Sequence, residues 1–135
     1  MAYWLVKSDP QTYGWKEFSK DKKTSWDGIR NYAARIHLKA MKEGDEVLFY
    51  HSNKDAGVVG VAKVTKEFYP DPTSKDEGWV SVELQCIKPL KKNVLLSEIK
   101  SEKKLRDMLL IKISRLSVMP VTDGEFETIL QMGES

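Results

Sequence analysis

Hydrophobic and polar residues alternate along several stretches of this chain, a pattern typical of half-buried β-strands. The clearest example is residues 79–87, in which every second residue from Val80 to Cys86 is apolar. Similar runs bounded by turn residues predict strands at 3–6, 45–52, 57–68, 79–87 and 117–121. Only a short polar turn separates the second and third of these, which predicts a hairpin. Gly60, inside the third, leaves room for a close backbone approach.

Apolar residues three or four positions apart predict helices between these strands. We expect helices over residues 10–18, 31–41 and 96–105, with residues 19–25 as a polar loop. A capping box from Thr122 to Glu125 opens a last helix. Strands separated by modest helices predict an α+β fold around a small curved sheet or barrel. With 135 residues and no linker or repeat, we expect a single domain over residues 1–135.

Composition restricts the partners and the compartment. The net charge of +2 is nearly balanced, so nucleic-acid binding would depend on a local patch. Cys86 is the single cysteine, which excludes an internal disulfide and gives no metal-binding spacing. The chain shows neither a signal-peptide pattern nor an apolar run approaching the ~20 residues that cross a bilayer. We therefore expect a soluble, intracellular, cytoplasmic protein with no membrane partner.

The residue types that carry catalysis are sparse. His37 and His51 are too few for a histidine-rich metal centre, and the chain lacks a phosphate-binding G-x-x-x-x-G-K loop. His51 and Ser52 are neighbours on a predicted strand, so their side chains would point to opposite faces. The sequence favours a non-enzymatic protein with no cofactor and no metal.

The richest chemistry lies in residues 25–35, which combine aromatic, guanidinium and amide side chains after a turn at Asp27 and Gly28. Trp26 suits stacking on a flat ring, Asn31 can both donate to and accept from a base edge, and the arginines can neutralise an anion. The alternative is structural: Trp26 belongs to the core, the arginines are solvated, and Asn31 caps a helix. The local sequence leaves both interpretations open.

The chain resembles EVE domains over essentially its whole length. The matching segments are residues 3–10 (YWLVKSDP), 26–35 (WDGIRNYAAR), 48–52 (LFYHS), 57–62 (GVVGVA), 69–73 (YPDPT) and 114–121 (SRLSVMPV). The resemblance implies a PUA-like fold, a small bent β-barrel with surrounding helices. The family is similar in fold to YTH domains, which hold methylated adenine in an aromatic cage, and it includes a protein associated with binding modified cytosines in DNA.

The resemblance also suggests a site. Its candidate pocket residues are Ser8, Trp26, Asn31, Tyr50, His51, Ser52 and Tyr69, and its candidate phosphate contacts are Arg30, Arg35 and Arg115. Each has a structural alternative: Tyr69 could simply anchor a loop, and Arg115 could pin the C-terminal segment. The other tryptophans, Trp4, Trp15 and Trp79, are expected in the core.

Three functions remain open from the sequence. The first is a non-catalytic module that reads a modified base, such as a modified cytosine, in DNA or RNA by holding the flipped base in an aromatic and polar pocket. The second is a general PUA-type RNA-binding protein without modification specificity. The third is an enzyme on a nucleotide-like small molecule, with His51 as the base.

Overall fold

A six-stranded mixed sheet forms the centre of the computed structural model, which describes residues 1–134. The strand order is β2-β5-β4-β3-β1-β6. The strands are β1 (Tyr3–Ser8), β2 (Lys23–Trp26), β3 (Glu46–His51), β4 (Gly57–Pro70), β5 (Val80–Leu95) and β6 (Val118–Val121). Strands β1 and β3 are parallel, and the other neighbouring pairs are antiparallel. The α+β class is confirmed. The edge strands β2 and β6 do not pair with each other, so the bent sheet is open and does not close into the expected barrel.

The long strands β4 and β5 give the sheet its curvature. Their register shifts at four places, and such irregularities bend a strand and increase its twist. The predicted β3–β4 hairpin is confirmed. At Gly60 an added Cβ would collide with the Trp15 ring, so the room left by this glycine is filled by an indole side chain and not by another backbone segment.

Helices cover the sheet. They are α1 (Pro10–Tyr13), α2 (Trp15–Asp21), α3 (Tyr32–Ala40), α4 (Leu96–Ser101), α5 (Leu109–Lys112) and α6 (Asp123–Met132). Residues 10–18 do not form the single helix that was predicted, because the backbone is extended at Gly14. Residues 96–105 are likewise divided into α4 and a 3₁₀ turn, Lys103–Leu105. The capping box is confirmed: Thr122 accepts a hydrogen bond from the Glu125 amide, and the Glu125 carboxylate accepts one from the Thr122 amide.

The prediction of a loop at residues 19–25 is wrong, because residues 19–21 continue α2 and residues 23–26 form β2. This strand pairs with β5, with Lys23 opposite Gln85 and Trp26 opposite Val82. The partner strand β5 lies about sixty residues away in sequence, so the polar local composition of residues 23–26 could not indicate this pairing. The consequence is important for the site, because Trp26 is the last residue of β2.

An aromatic cluster fills the core beside this strand. The Phe49 ring on β3 lies 5.2 Å from Phe18, 5.4 Å from Trp15 and 5.6 Å from Trp26, measured between ring centroids. Because β5, β4 and β3 separate β2 from β1 in the sheet, only strong curvature brings the ends of β1 and β2 near each other. Between residues 1 and 134 no helix is long and apolar enough to cross a membrane.

Candidate functional site

A cleft of about 320 Å³ lies where the ends of β1 and β2 meet α1; we call it the Trp26 cleft. Its lining includes Ser8 from β1, Tyr13 from α1, Ser25 and Trp26 from β2, and Asp27 from the following loop. Its volume is at the lower end of the range for small-molecule sites, and it combines aromatic rings with hydroxyl and carboxylate groups. These properties suit a small planar ligand with polar edges.

Two aromatic residues give the cleft its walls. The Trp26 and Tyr13 ring centroids are 6.5 Å apart with the planes at 74°. Trp26 is only 8% exposed and packs edge-on against Phe49, so its ring is held in place by the core. The Tyr13 hydroxyl donates to Asp21 at 2.9 Å, and burial raises its pKa. Trp26 therefore belongs to the core and also lines the cleft. Tyr13 was not a candidate from the sequence, which predicted one helix through it and Phe18, without the break at Gly14.

Ser8 lies in the same cleft. Its hydroxyl donates to the Tyr13 backbone carbonyl, which ties the end of β1 to α1. The serine oxygen keeps its lone pairs, so it can accept a hydrogen bond from a ligand. Lys7, which the sequence did not single out, lines the cleft as well. Burial lowers its pKa, and its ammonium donates to the Ser114 carbonyl at 2.8 Å.

Asn31 is exposed, is the N-cap of α3 and is not among the residues that line the Trp26 cleft. Its side-chain oxygen accepts a hydrogen bond from the Ala34 amide at 3.0 Å. That bond satisfies one of the free donors at the helix start and contributes about 1 kcal/mol. The structural role suggested for Asn31 is thus present, and its side-chain amide nitrogen remains available as a donor.

Tyr50 and Ser52 line a second cavity of about 260 Å³, which we call the Tyr50 cavity. Lys7 contributes to both cavities and lies between the two groups of candidates. The link to the Trp26 cleft runs through the backbone, since the Ser52 amide donates to the Ser8 carbonyl at 2.9 Å. The structure therefore does not bring these two side chains into one pocket with Trp26.

His51 lies in neither lining. Its Nε2 accepts a hydrogen bond from the Trp15 amide at 3.0 Å. Burial lowers its pKa, against a smaller opposing effect from Glu17. The lone pair that a general base would use is thus already committed to the backbone.

Tyr69 reaches the rim of the Trp26 cleft from β4. Its hydroxyl lies 2.5 Å from the Ser25 hydroxyl, and Ser25 lines the cleft. The Lys66 ammonium lies 4.7 Å from the centre of the Tyr69 ring. Tyr69 therefore supports the rim and brings a cation close to it.

The carboxylate of Asp71 fastens the loop after Trp26. It is fully buried and accepts from the Gly28 amide at 2.8 Å and from Arg30 Nη1 at 2.9 Å. Thr73 donates to it through both its amide and its hydroxyl, each at 2.7 Å. Burial alone would raise the pKa of Asp71, but the hydrogen bonds from Thr73, Arg30 and Gly28 outweigh it and lower the pKa to about 2. Arg30, a candidate phosphate contact, thus has its charge compensated by a carboxylate.

Arg35 has different neighbours. Its guanidinium carbon lies 4.9 Å from the Tyr32 ring centre and 5.0 Å from that of Trp79, and its Nη1 donates to the Gly78 carbonyl at 3.2 Å. The two rings are 5.2 Å apart. We call Tyr32, Arg35 and Trp79 the Tyr32–Trp79 ledge. The expectation that Trp79 lies in the core is wrong, because it packs at the surface against a ring from α3.

The sequence missed the ledge. Tyr32 and Arg35 are three apart on one helix, a spacing that puts side chains on one face, but nothing local indicates that Trp79 packs there. Arg115 is exposed in the turn before β6, away from α3 in sequence, and in residues 1–134 neither it nor Arg35 forms an ion pair with a carboxylate. In that same part of the chain, no three His, Cys, Asp or Glu side chains are grouped so as to hold a metal ion.

Known proteins share this fold and much of this sequence. Human thymocyte nuclear protein 1 is 35% identical, in an alignment that covers 98% of this chain and 74% of that protein. The crystal structure of human THYN1 protein in complex with 5-methylcytosine containing DNA matches with a TM-score of 0.93 and 34% identity, over 100% of this chain and 99% of that one.

A more distant match shows the fold alone. The YTH domain of the Zygosaccharomyces rouxii MRB1 protein, in complex with N6-methyladenosine RNA, has a TM-score of 0.64 and 15% identity over 99% of this chain and 87% of that one. The family model described as the EVE domain matches residues 2–132. With the whole described sheet and its helices inside that match, the chain belongs to the EVE domain family.

Proposed function

We propose that this protein is a nucleic-acid-binding module that reads a modified base, with modified cytosine as the first choice, by holding the flipped base in the Trp26 cleft. One observation carries the proposal. An aromatic cleft with hydroxyl-lined edges lies in a chain that matches, over its whole length, a protein crystallised in complex with 5-methylcytosine containing DNA. The modified base itself, and the choice of DNA or RNA, belong to the proposal.

The energetics of the cleft fit this task. Flipping a base out of a duplex costs a few kcal/mol, and stacking on an aromatic side chain returns ~1–3 kcal/mol per base. Trp26 is held by Phe49, so its ring does not have to be ordered when a base binds. A methyl group on the base adds apolar area to bury against the Trp26 and Tyr13 rings.

Polar groups at the cleft supply the edge contacts. Ser8 offers acceptor lone pairs to an exocyclic amine, and Asp27 lies in the same lining. Asn31 lies outside the lining, and the proposal has it reach the base edge with its amide nitrogen, since its side-chain oxygen caps α3. Arg30 and Asp71 do not contact the base in this proposal; their hydrogen bonds fix the loop from Gly28 onward.

The binding function is favoured over catalysis at this cleft. The one histidine proposed as a base, His51, accepts from the Trp15 amide instead of facing the cleft. Ser8, which lines the cleft, donates its hydroxyl proton to a backbone carbonyl. No histidine is among the residues that line the cleft, so none is placed to activate this serine as a nucleophile.

Binding of short oligonucleotides tests the proposal. Single- and double-stranded DNA and RNA carrying one modified cytosine or adenine are compared with unmodified controls at fixed salt. We expect a preference of about tenfold or more, equivalent to about 1.4 kcal/mol. Equal and salt-sensitive binding to all oligonucleotides would instead support the general RNA-binding alternative.

Two variants locate the preference. Trp26→Ala should abolish it, and Trp26→Phe, which keeps a ring in the core position, should weaken it while the protein stays folded. Phe68→Ala is the matched control, because that ring is 46% exposed and outside the cleft lining. An unchanged preference in folded Trp26→Phe and Trp26→Ala would remove the Trp26 cleft from the site.

A further inference from the structure

The Tyr32–Trp79 ledge presents aromatic surface that the fold does not bury. Tyr32 is 68% exposed, although it is the first residue of α3 and next to the fixed loop. Its ring contacts Arg35 and Trp79, which hold it in place while most of it stays exposed. A large exposed ring in a fixed position, beside a second ring, is the arrangement on which unpaired bases stack.

The charges of the ledge indicate its ligand. The Arg35 guanidinium is held by two rings and a backbone carbonyl, and no carboxylate compensates it within the described chain. By contrast, the Asp71 carboxylate neutralises Arg30, whose guanidinium carbon lies 5.7 Å from the Trp79 ring centre. A positive charge beside an exposed ring suits a nucleotide, which combines a flat base with a phosphate.

Acidic side chains limit the alternatives. Asp76 and Glu77 are exposed on the loop that ends at Gly78, the residue whose carbonyl binds Arg35. These carboxylates repel phosphates, so the ledge is poorly suited to the many phosphate contacts by which proteins bind a duplex backbone. Stacking is therefore the larger contribution, with one phosphate contact from Arg35.

The ledge is also close to the Trp26 cleft along the chain. Asp27 lines the cleft and Tyr32 begins the ledge. Five residues span at most about 18 Å when fully extended. The Gly28 amide and Arg30 both bind Asp71, which fixes the path between the two surfaces. A strand whose base occupies the cleft can therefore reach the ledge within a few nucleotides.

We infer that the Tyr32–Trp79 ledge is a second stacking site, which holds one unmodified, unpaired base flanking the base in the Trp26 cleft while Arg35 contacts its phosphate. This inference rests on the proposed function. It gives the protein a preference for a substrate with at least two unstacked nucleotides. The identity of the flanking base matters little, because every base has a stacking face.

An abasic scan tests the ledge. Single-stranded oligonucleotides carry one modified cytosine and a single abasic site at each flanking position in turn. For the wild-type protein we expect one position at which the abasic site weakens binding about tenfold, equivalent to about 1.4 kcal/mol. In Tyr32→Ala this penalty should disappear at that position, while Tyr32→Phe should behave as the wild type. Ile87→Ala, which removes a 47% exposed apolar side chain from β5, is the control.

The outcomes separate the two proposals. Unchanged affinity in Tyr32→Ala, or an abasic penalty that persists in it, would overturn the ledge while leaving the preference for the modified base intact. Loss of that preference with a persistent Tyr32-dependent penalty would overturn the reader function but support the ledge. Failure of the wild-type protein to bind any oligonucleotide would overturn both. Tyr32 is exposed at a helix start, so the variant is expected to fold.

Discussion

The Trp26 cleft and the Tyr32–Trp79 ledge use the same kinds of residue in opposite ways. In the cleft, Trp26 is 8% exposed and Phe49 holds its ring, so the wall is part of the core. In the ledge, Tyr32 is 68% exposed and contacts Arg35 and Trp79. A buried ring forms the wall of a pocket that selects its ligand by shape, whereas an exposed ring offers a flat surface on which any base can stack.

The two arginines of the intervening segment differ in the same way. Arg30 donates to a buried carboxylate, and its charge is used to fix the loop. Arg35 lies beside the Tyr32 and Trp79 rings, 4.9 and 5.0 Å from their centres, and has no carboxylate partner in residues 1–134. Residue type alone does not separate a positioning arginine from a binding one; the partner of the guanidinium does. The Asp71 carboxylate connects the two regions, because it fixes the loop that leads from the Trp26 cleft to the Tyr32–Trp79 ledge. We expect its removal to disturb both.

The largest expected effect is therefore on stability, in Asp71→Asn. The variant removes a buried carboxylate that accepts from Gly28, Arg30 and Thr73. Because Arg30 is 40% exposed and can be solvated, the loss should be at the low end for a broken buried pair, about 2–3 kcal/mol. Urea unfolding measures it. Asp76→Asn, which removes an exposed carboxylate from the same loop, should change the free energy of unfolding by no more than about 0.5 kcal/mol. An equal loss in both variants would refute the stabilising role of Asp71.

The pH dependence of the same group gives the next effect. The folded-state pKa of Asp71 is about 2, below its ordinary value of 3.8. Its stabilising contribution is therefore present above pH 4 and is lost as the pH falls from 4 to 2, up to about 2 kcal/mol. Unfolding free energies at pH 5, 4, 3 and 2 should converge for the wild type and Asp71→Asn. Parallel curves would mean that the carboxylate titrates normally in the folded protein.

Asn31 lies between the two regions, and its two roles can be separated. Asn31→Ala removes the α3 cap and should cost about 1 kcal/mol of stability. Asn31→Ser keeps a capping oxygen but lacks the amide donor, so it should restore most of the stability. If both variants lose the same share of the preference for the modified base, the amide contacts the base. If Asn31→Ser keeps the full preference, Asn31 serves only as a cap.

How far the sequence predicted this molecule depended on the distance between partners. The β3–β4 hairpin and the Thr122 capping box involve nearby residues, and both are present as predicted. Strand β2 was missed because it pairs with β5, far away in sequence. Motif resemblance identified the family, since its segments span the whole chain.

The candidate site was harder to assemble. Trp26 and Ser8 share a cleft as expected, but Tyr50 and Ser52 line a different cavity, and Lys7 contributes to both. Trp79 was assigned to the core as tryptophans commonly are, and nothing in its local sequence indicated the contact with Tyr32 of α3. Side-chain direction at a strand end and contacts between distant segments decide such details, and neither is encoded in local spacing.

The smallest predicted effect concerns the charge of Arg35. It has no carboxylate partner in residues 1–134, so its single phosphate contact should release about one counterion on binding. Arg35→Gln should therefore reduce the slope of log affinity against log salt by about 0.7 for single strands. Arg35→Lys should keep the slope yet bind a few-fold more weakly, because an ammonium lacks the flat guanidinium that packs beside the Tyr32 and Trp79 rings. An unchanged slope in Arg35→Gln would assign the ledge to stacking alone. A slope lost equally in both variants would mean that the geometry of the guanidinium, and not its charge, makes the contact.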